Sequence, residues 1–206
     1  MDIIAITICV NYDDIFKYMI QQNLKFFKKW YIVTKIEDTA TINLVTELNN
    51  PLIEILYYND FYTDSKFNFG GARKFAQEYI DKNYTNANIL ILDADIFLPD
   101  DFSKTLPKTL EKNTIYGTSE RLDYKSIDDL IQNNNPFKYP QGDKFAGFFQ
   151  LYKQCPYRYE KSQNCGECDI HFRNKFPKKY KLNLSVKHLG IYKVNWNGRD
   201  YTMGTY

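Results

Sequence analysis

Short, wholly apolar runs alternate along this chain with stretches in which apolar residues recur every three or four positions. Ile3 to Val10 reads as a buried strand and ends at the polar turn Asn11-Tyr12-Asp13-Asp14, which can also open a helix. Ile15, Tyr18, Met19, Gln22 and Phe26 then follow at roughly helical spacing. Trp30 to Thr34 predicts a second strand, Asp38 or Thr39 opens a short helix marked by Ile42, Val45 and Leu48, and Ile53 to Tyr58 predicts a third strand. Gly70-Gly-Ala-Arg-Lys74 starts a helix with an apolar stripe of Ala72, Phe75, Ala76, Tyr79 and Ile80. Strands alternating with helices in this way predict a largely parallel sheet with right-handed crossovers.

The fourth apolar run, Ile89 to Leu92, stops abruptly at Asp93-Ala-Asp95. Two carboxylates one residue apart at the C-terminal end of a buried strand lie where open parallel sheets bind ligands. They offer hard oxygen donors to a divalent cation. The plainer reading is a solvated, turn-forming Asp.

Beyond residue 100 the rhythm changes. Thr114 to Ser119 predicts a strand, Ser126 to Asn133 a short helix, Asn134 to Asp143 a loop, and Phe145 to Tyr152 another strand. Asp169 to Phe176 predicts a helix for which Asp169 could serve as the cap, and Lys181 to Leu189 a half-buried strand with His188 at its end. The tail Asn195-Trp-Asn-Gly-Arg-Asp200 is polar and aromatic.

Composition narrows the partners. A length of 206 residues without a Ser/Gly/Pro-rich linker predicts one domain, residues 1–206, divided into a first half (1–100) and a second, mixed half (101–206). The formal charge of +2 and the lack of a basic run argue against nucleic acid as partner. The first ten residues do not make a signal peptide and no run is long enough to cross a bilayer, which predicts a soluble cytoplasmic protein with its four cysteines reduced. The 18 Tyr and 15 Phe exceed what one core needs, which suggests a surface that grips sugar rings, with Tyr139, Phe148, Phe149, Tyr152 and Tyr157 as a stacking wall; AT-rich coding drift is the simpler explanation. No coiled-coil stretch is visible, which predicts a monomer.

Taken together, the βαβα half ending in Asp93-Ala-Asp95, Tyr12 after the first strand, the Thr34 to Asp38 turn, Gly71-Ala-Arg73, Phe145 to Gln150, Glu167-Cys-Asp169 and His188-Leu-Gly190 with Trp196 to Arg199 resemble a GT-A-fold glycosyltransferase. The likeness is nearest to the small enzymes of this kind encoded by large DNA viruses of algae and protists, which would place the protein in a host cytoplasm. The resemblance implies an α/β fold: a GT-A, Rossmann-like, mixed but mainly parallel central sheet flanked by helices, with a smaller acceptor-side half. It implies a metal-dependent, inverting hexosyltransferase that moves a hexose or deoxyhexose from a nucleoside diphosphate sugar, UDP preferred, to a glycan or glycoprotein acceptor. Residues 1–100 would bind the nucleotide sugar and residues 101–206 the acceptor.

The same resemblance assigns roles. Tyr12 would stack on the base, and Val10, Asn11, Thr34 and Asp38 would line its site. Arg73 would bridge the nucleotide and the aspartate loop. Asp93, Ala94 and Arg199 would meet the ribose and diphosphate, with Lys187 as a second cation. Asp95, Asp93 and His188 would hold Mn²⁺ or Mg²⁺, and Asp169, or else Glu167, would serve as general base. Simpler roles stand beside these: a solvated first-turn Arg73, a structural His188, a Lys187 facing water.

Two other enzymatic or metal readings fit parts of the pattern. A haloacid-dehalogenase-like phosphatase also ends an apolar strand in Asp-X-Asp, although that strand usually comes early and is followed by a different turn. Cys155, Cys165, Cys168 and His171 include a Cys-x₂-Cys spacing compatible with zinc. A non-catalytic nucleotide-sugar or glycan-binding module is the third alternative, and the acidic set Asp93, Asp95 and Asp169 argues against it.

Overall fold

The computed structural model describes residues 1–63, 66–142, 145–160 and 165–189. Arg199 and the Trp196 to Arg199 segment therefore lie outside the described residues. In chain order the elements are β1 (Ile3–Ile8), α1 (Asp13–Asn23), β2 (Lys29–Thr34), α2 (Thr39–Leu48), β3 (Ile53–Tyr57), β4 (Tyr62–Thr63), β5 (Lys66–Phe67), α3 (Phe69–Asn83), β6 (Asn88–Leu92), β7 (Ile96–Phe97), α4 (Phe102–Thr105), β8 (Thr114–Gly117), β9 (Glu120–Tyr124), α5 (Ile127–Gln132), β10 (Phe137–Pro140), β11 (Phe149–Lys153), α6 (Cys165–Asn174), β12 (Lys178–Lys181) and β13 (Ser185–Leu189).

A seven-stranded sheet, ordered β12-β8-β11-β6-β1-β2-β3, forms the centre. Six of its strands run one way and β11 runs against them. The alternation along β1 shows why the sheet is covered on both faces. Ile3 and Ala5 join a core with Trp30, Leu90, Leu92 and the α1 residues Phe16, Met19 and Ile20. Ile4, Ile6 and Ile8 join another with Ile89, Ile91 and the α3 residues Ala72, Ala76 and Ile80. Trp30 is satisfied in that interior because its indole Nε1 donates to Thr7 Oγ1 at 2.9 Å.

A second sheet, ordered β10-β9-β13-β7, packs residues from both halves of the chain together. The single strand expected over Lys181 to Leu189 is thus two: β12 joins the central sheet and β13 the second one. The loop expected from Asn134 to Asp143 contains β10, and the strand expected from Phe145 begins only at Phe149. Ahead of it, Arg173 takes the Phe145 carbonyl, Gly147 lies against Asp169, and the Phe148 carbonyl accepts from Asp93 N at 3.0 Å. Helix α6 starts at Cys165, four residues before the expected start, so Asp169 sits in its second turn and is not its cap.

Caps elsewhere follow the sequence. Asp38 caps α2 by accepting from Thr41 N at 3.2 Å, and Asn68 caps α3 by accepting from Gly71 N at 2.9 Å. The glycine at 71 is required, because a methyl there would overlap Asn68 and the Tyr58 hydroxyl.

Candidate functional site: an acidic strand end held by Arg73 and His188

Three loops meet at one edge of the central sheet. After β1 the chain turns through Asn11, whose φ of 53° is left-handed, and its amide donates to Asp38 Oδ2 at 2.9 Å. The same oxygen accepts from the Thr34 hydroxyl at 2.9 Å, so Asp38 ties the turns after β1 and β2 together as well as capping α2. Buried and committed to these three donors, Asp38 shapes the loop. Val10 packs at the margin of the core below it.

That turn aims Tyr12 across the site, where its hydroxyl donates to Asp95 Oδ2 at 2.8 Å. Asp95 is also clasped from the other side, with His188 Nε2 3.3 Å from the same oxygen. Backbone bonds set this meeting: Leu189 N donates to Asp95 O at 3.0 Å, and the β7–β13 ladder places His188 opposite Ile96. The first turn after the aspartates is secured by buried Asn23, which donates to Ile96 O at 2.7 Å and accepts from Leu98 N at 2.9 Å.

Asp93 points elsewhere, its Oδ1 taking a 2.7 Å hydrogen bond from Arg73 Nη2. The Arg73 side chain is 1% exposed, pairs through Nη1 with Asp169 Oδ1, and lies between the rings of Phe69 and Tyr159 at 4.1 and 5.0 Å. One guanidinium therefore joins α3, the aspartate loop and α6. The Tyr159 hydroxyl donates to Gln150 Oε1 and lies 3.2 Å from Asp169 Oδ1, and Gln150 Nε2 donates to the Asp169 carbonyl at 3.3 Å. Gly147 lets the Asp169 carboxyl approach, for a methyl there would occupy its place. Glu167 faces outward from the first turn of the same helix, and Ala94 is buried between the two aspartates.

The electrostatics divide the two aspartates. Burial pushes the Asp93 carboxyl up to about 6, against the pull of Arg73. Burial acts on Asp95 in the same sense, but the neighbouring His188 and the hydrogen bonds from His188 and Tyr12 outweigh it and hold the carboxyl below its ordinary value. For His188 burial favours the neutral ring, while Asp95 and Asp123 together raise it to about 9. An imidazolium is here the counter-charge to Asp95 and Asp123.

Asp95 Oδ2 and His188 Nε2 fit a hexacoordinate hard cation, since neighbouring donors on bonds of about 2.1 Å are roughly 3 Å apart. Among the described residues no group of three or more His, Cys, Asp or Glu is arranged to hold a metal. The structure thus brings together two of the three expected ligands, and Asp93 is engaged by Arg73. Of the four-residue cysteine and histidine cluster, the Cys165 side chain lies outside the described residues; in α6 Cys168 is buried and His171 faces solvent.

Several expectations change in position. Lys187 neither reaches the aspartates nor faces open water; its Nζ donates to Leu130 O at 3.2 Å and rests over the Tyr124 ring. The aromatic wall is mostly interior, because Phe148, Phe149 and Tyr152 are core residues and Tyr157 packs edge-on against Phe176. Tyr139, 49% exposed, is the one that presents a substantial open face. Sequence reasoning missed Tyr159, Arg121 and Asp123. For the last two a signal existed, since Arg and Asp two apart in a strand share one face.

No family model and no curated protein matches the sequence. Solved structures do match. The galactosyltransferase LgtC, in complex with donor and acceptor sugar analogues, superposes with a TM-score of 0.52 at 10% identity, covering 86% of this chain and 72% of that one. An active-site mutant of LgtC gives 0.51 over the same coverage and at the same identity. Among the described residues no helix is long and apolar enough to cross a membrane. At this identity the likeness is one of architecture, and the architecture is GT-A: a Rossmann-like, mainly parallel sheet flanked by helices.

Proposed function

We propose that this protein is a metal-dependent glycosyltransferase that uses a nucleoside diphosphate sugar, UDP preferred, and delivers a hexose or deoxyhexose to a glycan. The observation that carries the reading is the meeting of Asp95 and His188 at 3.3 Å on the ligand-binding edge of a GT-A sheet, with Asp93 and Arg73 beside them. A cation there, Mn²⁺ before Mg²⁺ because of the imidazole, would neutralise charge building up on a departing diphosphate. Asp95 and His188 would hold it. Arg73 fixes Asp93 and Asp169 in place, Tyr12 keeps Asp95 oriented, and the turn locked by Asn11 and Asp38 forms the wall on which a base would rest.

The acceptor side supports the reading less directly. An inverting displacement needs a carboxylate free to take the acceptor's proton, and the Asp169 carboxylate is already engaged by Arg73 and Tyr159. Asp169 therefore serves as base only if bound substrate draws Arg73 away, and otherwise Glu167 is the remaining candidate. Asp169→Asn separates the cases: a pH-independent fall in kcat points to the Arg73 brace, and loss of the acidic limb of the pH–rate profile points to the base.

The first test is calorimetric titration of UDP and GDP with and without Mn²⁺, repeated on Asp95→Ala. The reading expects Mn²⁺-dependent binding of UDP that the variant loses. Failure of any nucleotide to bind with any divalent metal would overturn it.

A further inference from the structure

We propose that Asp123 is a positioning residue that sets the ring of His188 for metal ligation, an inference that rests on the metal site proposed above. Asp123 Oδ1 lies 2.9 Å from His188 Nδ1, on the opposite side of the ring from Asp95. The contact is built by the sheet, because the parallel β9–β13 register makes Asp123 and His188 direct partners. Both residues are buried, at 8% and 6% exposure.

A buried carboxylate needs a reason and a partner. Arg121 supplies the partner, donating from Nε to Oδ1 at 2.7 Å and from Nη2 to Oδ2 at 3.0 Å. Its guanidinium is itself held over the rings of Tyr139 and Phe148, at 5.3 and 5.2 Å. Arg121 alone does not explain why the carboxylate also meets Nδ1. An imidazole that ligates through Nε2 must carry its proton on Nδ1, and an acceptor fixed at Nδ1 selects that tautomer and strengthens Nε2 as a donor. Asp123 is such an acceptor, and it cannot ligate the same ion because the ring lies between.

The test titrates Mn²⁺ alone into the full chain and reads free Mn²⁺ by electron paramagnetic resonance, for wild type, Asp95→Ala, Asp123→Ala and Asp123→Asn. Binding by wild type that Asp95→Ala abolishes establishes the metal site; no binding by wild type overturns that site and this proposal with it. Given binding, Asp123→Ala is expected to weaken Mn²⁺ affinity about 10–100-fold. The near-isosteric Asp123→Asn, which keeps one acceptor but no charge, is expected to fall between. If Asp123→Ala fails to fold, Asp123→Asn decides: a loss of threefold or more supports the role, and an unchanged affinity overturns it. A structural role would not move a second readout. The chain has two histidines, so ¹⁵N-histidine spectra of the Cd²⁺-loaded protein distinguish His188 from exposed His171. Nε2 ligation with a protonated Nδ1 is expected, and Nδ1 ligation would refute the assignment.

Discussion

The charge arrangement around His188 makes the stability of the protein depend on pH. In the folded chain the ring is raised from an ordinary 6.5 to about 9 by Asp95 and Asp123, so the folded state holds a proton that the unfolded state has released. The stabilisation is complete below pH 6.5 and disappears as pH rises through about 9. The imidazole and both carboxylates are nearly inaccessible, with side-chain exposures of 7%, 11% and 10%, so solvent screening removes little of the effect. A displacement of this size corresponds to roughly 3 kcal/mol, a large part of the stability of a typical domain. The assay is urea unfolding with chelator present, at pH 6 and pH 9.5, for wild type and His188→Gln. Wild type should lose roughly 3 kcal/mol between the two pH values and the variant should lose little. Equal slopes in the two proteins would refute the reasoning, because the loss would then come from other groups. On the metal reading proposed above, added Mn²⁺ should reverse the trend, since a cation held by His188 would have to displace its proton and would do so more readily as pH rises.

Other perturbations follow from the same contacts. Arg73→Met leaves the buried side of Asp93 and Asp169 without a counter-charge and should cost about 3–5 kcal/mol in denaturant unfolding; a loss under about 1 kcal/mol would show that the pair is already screened by water. Gly147→Ala places a methyl where the Asp169 carboxyl lies and should cost about 1–3 kcal/mol as α6 shifts, again read by unfolding. Asp38→Ala removes the cap of α2 and the link between two loops. A loss of about 1–2 kcal/mol is expected, with Asp38→Asn closer to wild type, and identical losses for the two would count against the cap.

What the sequence disclosed and what it withheld divide along a physical line. Runs such as Ile89 to Leu92 announce a strand covered on both faces, because every position must avoid water, and the change at Asp93 announces its end. Asp38 and Asn68 are legible as helix starts from local chemistry alone; the sequence pattern opens α2 at Asp38 or Thr39, and opens α3 at Gly70, one residue after its observed start at Phe69. β7 and β9 were not legible, being too short or too polar to carry a period. The placement of Asp169 was also beyond local reading. Its partner Arg73 is 96 residues away, and the pairing fixes the residue as a brace within a helix where its neighbours suggest a cap. The same holds for Asp123 and His188, 65 residues apart and joined only by sheet register. Local patterns locate chemistry-bearing residues, and tertiary pairing decides what their side chains are free to do.

The reversed strand β11 has a consequence for how the chain is made. It fills the middle of the sheet, between β6 and β8, so β6 has an unmet hydrogen-bonding edge until residues 149–153 arrive. Those residues leave the ribosome about 60 positions after β6, a delay of roughly 3–12 s at ordinary elongation rates. During that interval β6 has β1 on one edge and an unpaired row of backbone groups on the other, where β11 later pairs. Chains stalled before residue 149 should be digested by protease within β6, and chains stalled well beyond residue 153 should resist. Synthesis thus passes through a window in which the strand leading into the candidate site keeps an open edge to which another strand could add, and a chaperone or a rapid downstream sequence has most to contribute there.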